Sequence, residues 1–470
     1  MNKPNLIYVF ADQWRRGAMG CANQDPVLTP RMDAFAEQGV RCTACTSTFP
    51  LCSPHRASLL TGKYPFSTGF FTNCKPGIPL RLQDEEYGMG DILKDNGYQT
   101  AYIGKYHLDE PEVNHEEAPK SGARDWDAFT PKGVRRHGFD FWYSYGTYDV
   151  HLHPHYWKDS PEMIQVDKWS VEHETDIAID WLQQVDHSQP FAAVISWNPP
   201  HSPYDQVPQR YLDLYPETLP KRKNVKTEHI CHHTSEPYTG DLDLDTRRYY
   251  AAVSGLDDQF GRLLDALEEM GLAENTIVVL SADHGDMMGS HGLMAKHVWY
   301  EESIGIPFLV RGPKIPQGLC GSVFGSQDQL PTVLGLLGVD VPQTIEGVDC
   351  SNDIFTASTD SEKFTFLCAA PGSTPVLKLF ADAGKDPHAF GWRGVRTAKY
   401  TYVVEVGYRP EAKMQRLLYD LEQDPLQMNP IQISNPNENQ VASCLEQRLS
   451  QWLRQQKDPF YTQLCSNNTK

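Results

Sequence analysis

No apolar run in this chain is long enough to cross a bilayer, and it has no internal repeat and no low-complexity tract. A membrane-spanning helix, a solenoid and a fibrous chain are thereby excluded. Positive charge is scarce. Against 61 Asp and Glu stand 42 Lys and Arg, a formal net charge of −19. That excludes a general nucleic-acid or polyanion surface, so an anionic ligand needs a local basic pocket. Paired cysteines are missing too. The 11 are scattered, and only Cys42 and Cys45 are close, with no second pair to complete a zinc site. Most read as reduced core residues of a cytosolic protein. The start, MNKPNLIYVFADQ, does not read as a signal peptide, because LIYVFA is short and meets an Asp without a cleavage site. The expected compartment is the cytoplasm, or the periplasm or exterior if an export signal was removed. What is present is ample apolar material: 470 residues at 40% hydrophobic, too long for one small domain.

The most informative stretch is Leu51 to Pro65, LCSPHRASLLTGKYP. Cys52, Pro54 and Arg56 alternate, followed by Ser58, Thr61 and Gly62. A reactive thiol wants a neighbouring cation and a fixed backbone. Arg56 brings a permanent charge and a fork of donors suited to an oxyanion, and Pro54 stiffens the link. RASLLTG has helical character ending at Gly62. Cys52 is therefore expected just before a helix N-terminus, where backbone N–H groups favour anions. Taken alone, Cys52 reads as a buried structural thiol in a turn.

Other candidates lie at strand ends. Leu6 to Ala11 reads as a buried parallel strand delivering Asp12 and Gln13. Asp12 either ligates a hard cation or caps a helix. Gln99 to Ile103 leads into Gly104-Lys105-Tyr106-His107. Alternation puts Lys105 and His107 on one side, as an anion-binding and proton-transfer pair or as a solvated edge. Phe191 to Trp197 leads to Asn198-Pro199-Pro200-His201-Ser202-Pro203, where prolines bracket a candidate general acid, His201. Thr276 to Ser281 delivers Asp283-His284-Gly285-Asp286, and Asp283 and His284 are candidate cation ligands.

The pattern predicts helices at Pro30 to Gln38 (capped by Thr29), Tyr87 to Asn96, Val171 to Val185, Thr246 to Met270 and Val441 to Leu453, and a strand at Val40 to Thr46. Glu110 to Asp167 reads as irregular. Its Trp142, Tyr143, Tyr145, Tyr148, His151, His153, His155, Tyr156 and Trp157 form either a packed loop or a sugar-binding wall. The basic run Lys221, Arg222, Lys223 and Lys226 is a solvated face or an attractor for an anionic glycan.

CSPHRASLLTG resembles the sulfatase signature C-x-P-x-R with its T-G element. Further matches are GKYH, PHSP and SADHGDMMGSHGLMAKH, and the C-terminal stretches WRGVRTAKYTYV and LLYDLEQDPLQMNP are similar to that family's subdomain. The resemblance implies an alkaline-phosphatase-like α/β sandwich with a central mixed sheet flanked by helices (residues 1–355). A small C-terminal α+β subdomain with an antiparallel sheet follows (356–470). It implies hydrolysis of a sulfate monoester by Cys52 oxidised to formylglycine, whose hydrated aldehyde is the nucleophile, with one divalent cation, Ca2+. The implied cation ligands are Asp12, Gln13, Cys52, Asp283 and His284. Gln13 stands where the family has an acid, giving one less negative charge. Arg56, Lys105 and Lys296 would bear the sulfate charge, His201 would protonate the leaving oxygen, and His107 would help the sulfated intermediate collapse. The implied partners are a sulfated small molecule or glycan and a formylglycine-generating maturation enzyme, with neither nucleic acid nor membrane; the oligomeric state stays open. Asp286 and His291 are read as supporting their turn. Two other readings stand beside this one: a phosphonate monoester or phosphodiester hydrolase of the same superfamily, against which the Lys105/His107 pair argues, and a non-catalytic sulfated-glycan-binding protein with unmodified Cys52.

Overall fold

The computed structural model describes residues 3–233, 236–359 and 362–467. Its main sheet has eight strands: β1 (Asn5–Asp12), β2 (Val40–Cys42), β3 (Gln99–Lys105), β4 (Phe141–Tyr145), β5 (Phe191–Pro200), β6 (Thr276–Ala282), β7 (Phe308–Arg311) and β8 (Gly318–Cys320), in the order β8-β2-β7-β6-β1-β5-β3-β4. The five neighbours β6, β1, β5, β3 and β4 run parallel, and β7 is antiparallel to both β6 and β2. Strands β1, β5 and β6 are buried along their whole length, as their unbroken apolar runs require. Because these strands are parallel, Asp12, Lys105, His201 and Asp283 leave one edge of the sheet together.

Among the helices are α1 (Pro30–Gln38), α2 (Cys52–Thr61), α3 (Met89–Asp95), α4 (Ser170–Gln184), α5 (Leu242–Glu269), α6 (Ser326–Leu337) and α7 (Gln440–Gln455). Helix α2 is buried at every position and stops at Gly62, whose φ of +67° suits glycine. A second sheet, β9 (Phe364–Ala369), β10 (Gly391–Thr397), β11 (Tyr400–Gly407), β12 (Gln415–Asp420) and β13 (Ile431–Gln432), is antiparallel and shares a separate core with α7. Phe49, Trp299 and Ile304 also belong to this second core.

Several local expectations need correction. Strand pairing beyond Cys42 breaks into isolated bridges at Cys45 and Thr46. Helix α5 starts earlier than Thr246, because Asp241 accepts from the N–H groups of Asp243 and Leu244. Thr29 precedes α1, but its hydroxyl bonds to Asp33 instead, and the free α1 N–H groups of Arg31 and Met32 go to the Asp257 carboxylate. The segment read as irregular contributes β4 to the sheet. Its Trp142, Tyr143, Tyr145, His151, His155, Tyr156 and Trp157 are buried, so they are core and not a sugar-facing wall. Arg222 is held by Asp25 and Glu302, and the exposed Lys221 pairs with Asp243, so two of the four cations of the basic run already have carboxylate partners. All 11 cysteines are free thiols, and only Cys444 and Cys465 are exposed. No described helix is long and apolar enough to cross a membrane.

Candidate active site

Strand β3 must pass close to β5 to deliver Lys105. A Cβ on Gly104 would lie 2.2 Å from the Ser196 carbonyl, and its φ is +96°. Lys105 Nζ then reaches Asp12 Oδ2 at 2.8 Å and Asn198 Oδ1 at 3.0 Å. Arg56, fully buried on α2, ties four elements together. Its Nη2 meets Asp12 Oδ2 at 3.0 Å and its Nε meets Asp283 Oδ2 at 3.2 Å. Its Nη1 donates to the Lys105 carbonyl and to Ser196 Oγ, each at 2.7 Å. Four of the five N–H donors of the fork are thus committed.

Cys52 is the first residue of α2, one position further into the helix than expected. Its Sγ stands 3.3 Å from His284 Nε2 and 3.6 Å from Asp12 Oδ1. His284 Nδ1 faces the Gly285 carbonyl at 3.1 Å, so Nδ1–H donates there and the Nε2 lone pair faces the cluster. Atoms of Asp12, Cys52, Asp283 and His284 all lie within 4.8 Å of one another. Burial opposes ionisation of Asp12, but the charges of Lys105 and Arg56 hold its carboxyl well below the usual range. Burial and the charge of Asp12 push Asp283 up to about 7. Two carboxylates this close repel, and a cation between them would relieve both. The donor set therefore fits a divalent cation. The same surroundings, burial first and Asp12 second, push the Cys52 thiol up to about 12. The expectation of a reactive thiolate at a helix N-terminus is not met, since burial and an adjacent carboxylate outweigh the helix end.

A second chain of contacts runs beside this cluster. Lys296 Nζ reaches Gln13 Oε1 and lies 3.0 Å from His201 Nε2. His201 Nδ1 faces the Ser202 carbonyl at 2.6 Å. Burial and Lys296 push His201 down to about 3, so its ring is neutral and Nε2 accepts from the ammonium. Gln13 is fixed by Asp286 at 2.6 Å and Tyr204 at 3.2 Å, while its backbone N–H donates to Asp283 Oδ1 at 3.0 Å. Asp286 also accepts from the N–H groups of Met288 and Ala295, as its turn-supporting reading requires. His291 stacks on Tyr300 and meets Asn224. His107 closes the third side. Its Nε2 meets the Cys74 carbonyl at 3.0 Å, and its buried Nδ1 has no hydrogen-bond partner.

All ten candidate residues thus gather at one sheet edge. Sequence reasoning missed Asn198, Ser196 and Asp149, which orient them. Asp149 Oδ1 lies 3.5 Å from His201 Nδ1 and accepts from Asn198 Nδ2 at 3.1 Å. Asn198 was visible inside the NPPH element, whereas Asp149 sits in the aromatic segment without a local signal.

A family model described as Sulfatase matches residues 4–339. An endo-4-O-sulfatase of Bacteroides thetaiotaomicron is 35% identical, spanning 98% of this chain and 94% of the relative. An ulvan-active sulfatase of Formosa agariphila is 35% identical across 97% of this chain and 82% of its own. A solved structure from work on the metabolism of multiple glycosaminoglycans by Bacteroides thetaiotaomicron superposes with a TM-score of 0.85 at 34% identity, covering 98% of each chain.

Proposed function

This chain belongs to the sulfatase family, and from that premise we propose that it cleaves a sulfate monoester from a sulfated carbohydrate by means of a formylglycine made from Cys52. It is a sulfate ester hydrolase with the alkaline-phosphatase-like sandwich. The observation that carries the finer reading is the position of Cys52, at the head of a buried helix and within the Asp12/Asp283/His284 cluster, whose Asp12 also pairs with Lys105 and Arg56. A thiol pushed up to about 12 is a poor nucleophile at neutral pH, so conversion to an aldehyde is chemically well motivated at this position.

Asp12, Gln13, Asp283, His284 and the oxygen of the matured Cys52 would hold the cation, for which Ca2+ suits the carboxylate-rich set. When bound, the cation supplies positive charge against the sulfuryl oxygens. Arg56, Lys105 and Lys296 add fixed positive charge where negative charge develops. Once a sulfate draws Lys296 away, the freed Nε2 of His201 takes up a proton from solvent, and the imidazolium so formed is placed to pass it to the departing alcohol. His107, with Nδ1 unpartnered, takes the proton in the release of sulfate. Residues 1–355 carry this chemistry and 356–470 form the accessory subdomain. A sulfated carbohydrate is favoured because the two relatives above are named for 4-O-sulfatase and ulvan activities. A separate maturation enzyme would oxidise Cys52.

The test is the mass of the proteolytic peptide carrying Cys52, from protein made with a formylglycine-generating enzyme, followed by kcat/KM on matched sulfate and phosphate esters of one sugar. Aldehyde in place of thiol and faster turnover of the sulfate are expected. An intact thiol in protein that still hydrolyses the sulfate would overturn the nucleophile assignment.

A further inference from the structure

The wall beside His107 carries a cation that the chemistry above leaves unused. The chain from Thr72 to Lys75 is tied to helix α2 and to His107. Asn73 Oδ1 accepts from the Ser53 N–H at 3.0 Å, and the Cys74 N–H donates to Ser53 Oγ at 3.1 Å. The Cys74 carbonyl is the partner of His107 Nε2. From the other side, Thr72 Oγ1 donates to the Gly372 carbonyl at 3.1 Å. Lys75 leaves this frame one residue after the His107 contact, so its position relative to Cys52 is fixed by backbone.

Lys75 is half-buried, and burial pushes its ammonium down to about 8. Among the described residues no carboxylate pairs with it; its contact is with the ring of Trp126, 5.9 Å from Nζ to centroid. Trp126 is 41% exposed, unusual for so large an apolar side chain, and its ring centroid lies 6.2 Å from that of His107. Further along, His297 is buried with neither ring nitrogen partnered, and the His233 ring packs 4.8 Å from it. After burial itself, repulsion from Lys75 and Lys296 helps keep both rings neutral. This wall therefore has surplus positive charge in a protein whose net charge is −19. A partly desolvated ammonium without a counter-ion costs free energy until an anion reaches it. An exposed indole beside it offers a face for a sugar ring.

We propose that Lys75 and Trp126 form a second anion subsite next to the scissile sulfate, in which Trp126 takes the face of the neighbouring sugar and Lys75 its negatively charged substituent. The inference rests on the sulfated-carbohydrate reading and narrows it to substrates with a second anionic group, a carboxylate or another sulfate.

The test is calorimetric binding to protein with unmatured Cys52 and Ca2+ present, so that no turnover is read. Three disaccharides share one sulfated hexosamine and differ in the neighbouring sugar: a uronate, a sulfated hexose and a neutral hexose. Both acidic ligands should bind at least about tenfold tighter than the neutral one. Lys75→Ala should erase that advantage, Lys75→Arg should restore part of it, and Trp126→Ala should weaken all three. The acidic ligand losing more affinity in Lys75→Ala identifies the substituent. Equal binding of the three, absence of binding included, or an acidic preference that survives Lys75→Ala, overturns the subsite. Because only binding is measured, a failure of hydrolysis sinks the catalytic reading and leaves this result intact.

Discussion

Lys296 Nζ lies 3.0 Å from His201 Nε2. An ammonium in that position donates to the imidazole lone pair and keeps the ring neutral, as the downward shift of His201 requires. The proposed acid is therefore unprotonated until substrate competes for Lys296. Lys296→Ala should remove a charge-stabilising donor and its control of His201 together, lowering kcat/KM by about 10²–10³-fold. Lys296→Arg should recover part of the loss in kcat. If both variants raised KM alone, Lys296 would serve binding rather than the transition state.

The Asp12/Asp283 pair makes the site sensitive to its cation. Chelation should abolish hydrolysis, and re-addition of Ca2+, Mg2+ or Mn2+ in parallel should identify the ion by the activity regained. Thermal unfolding gives an independent reading. The wild type should gain several degrees in Tm on saturation with the cation, by mass action. Asp283→Asn should lose most of that gain. Its metal-free form should be at least as stable as the metal-free wild type, because burial and Asp12 already disfavour the Asp283 charge. A wild-type Tm indifferent to every divalent cation would exclude the site as a metal centre.

Much of this arrangement was legible because parallel strands convert sequence position into spatial position. Asp12, Lys105, His201 and Asp283 each follow an apolar run, and apolar runs in a parallel sheet end at one edge. The aromatic segment was not legible, because density of Trp, Tyr and His suits a buried strand as well as a binding wall. Tyr143 and Trp157 became core, while Trp126, outside the densest stretch, stayed exposed. The thiol environment of Cys52 also escaped, since its neighbours Asp12 and His284 are 40 and 232 residues away.

Glu301 joins the two cores through Arg16 and Arg396. Burial opposes its ionisation, but the two guanidinium groups hold it down at about 2, below an ordinary value of 4.5. A depressed carboxyl stabilises fully above its unfolded value and loses that contribution as pH falls toward its folded one. The wild type should therefore lose stability between about pH 4.5 and 2. Glu301→Gln should flatten that limb and cost about 2–4 kcal/mol at pH 7 by leaving two guanidinium groups short of charge. Denaturant melts at both pH values check it; an unchanged acid limb in the variant would place the loss elsewhere.

Arg56 has the most to lose from a substitution that preserves charge. A lysine there keeps the cation but cannot reach Asp12, Asp283, the Lys105 carbonyl and Ser196 at once, as the guanidinium does. At least one buried acceptor would lose its donor, and the two carboxylates would face each other with less compensation. Arg56→Lys should therefore cost about 3–5 kcal/mol in stability as well as most of the activity. The two losses have different signatures. Saturating cation should recover part of the stability by screening Asp12 from Asp283, yet it cannot replace the lost donors, so activity should stay low. Full recovery of activity with cation would mean that Arg56 acts only by holding the metal cluster together.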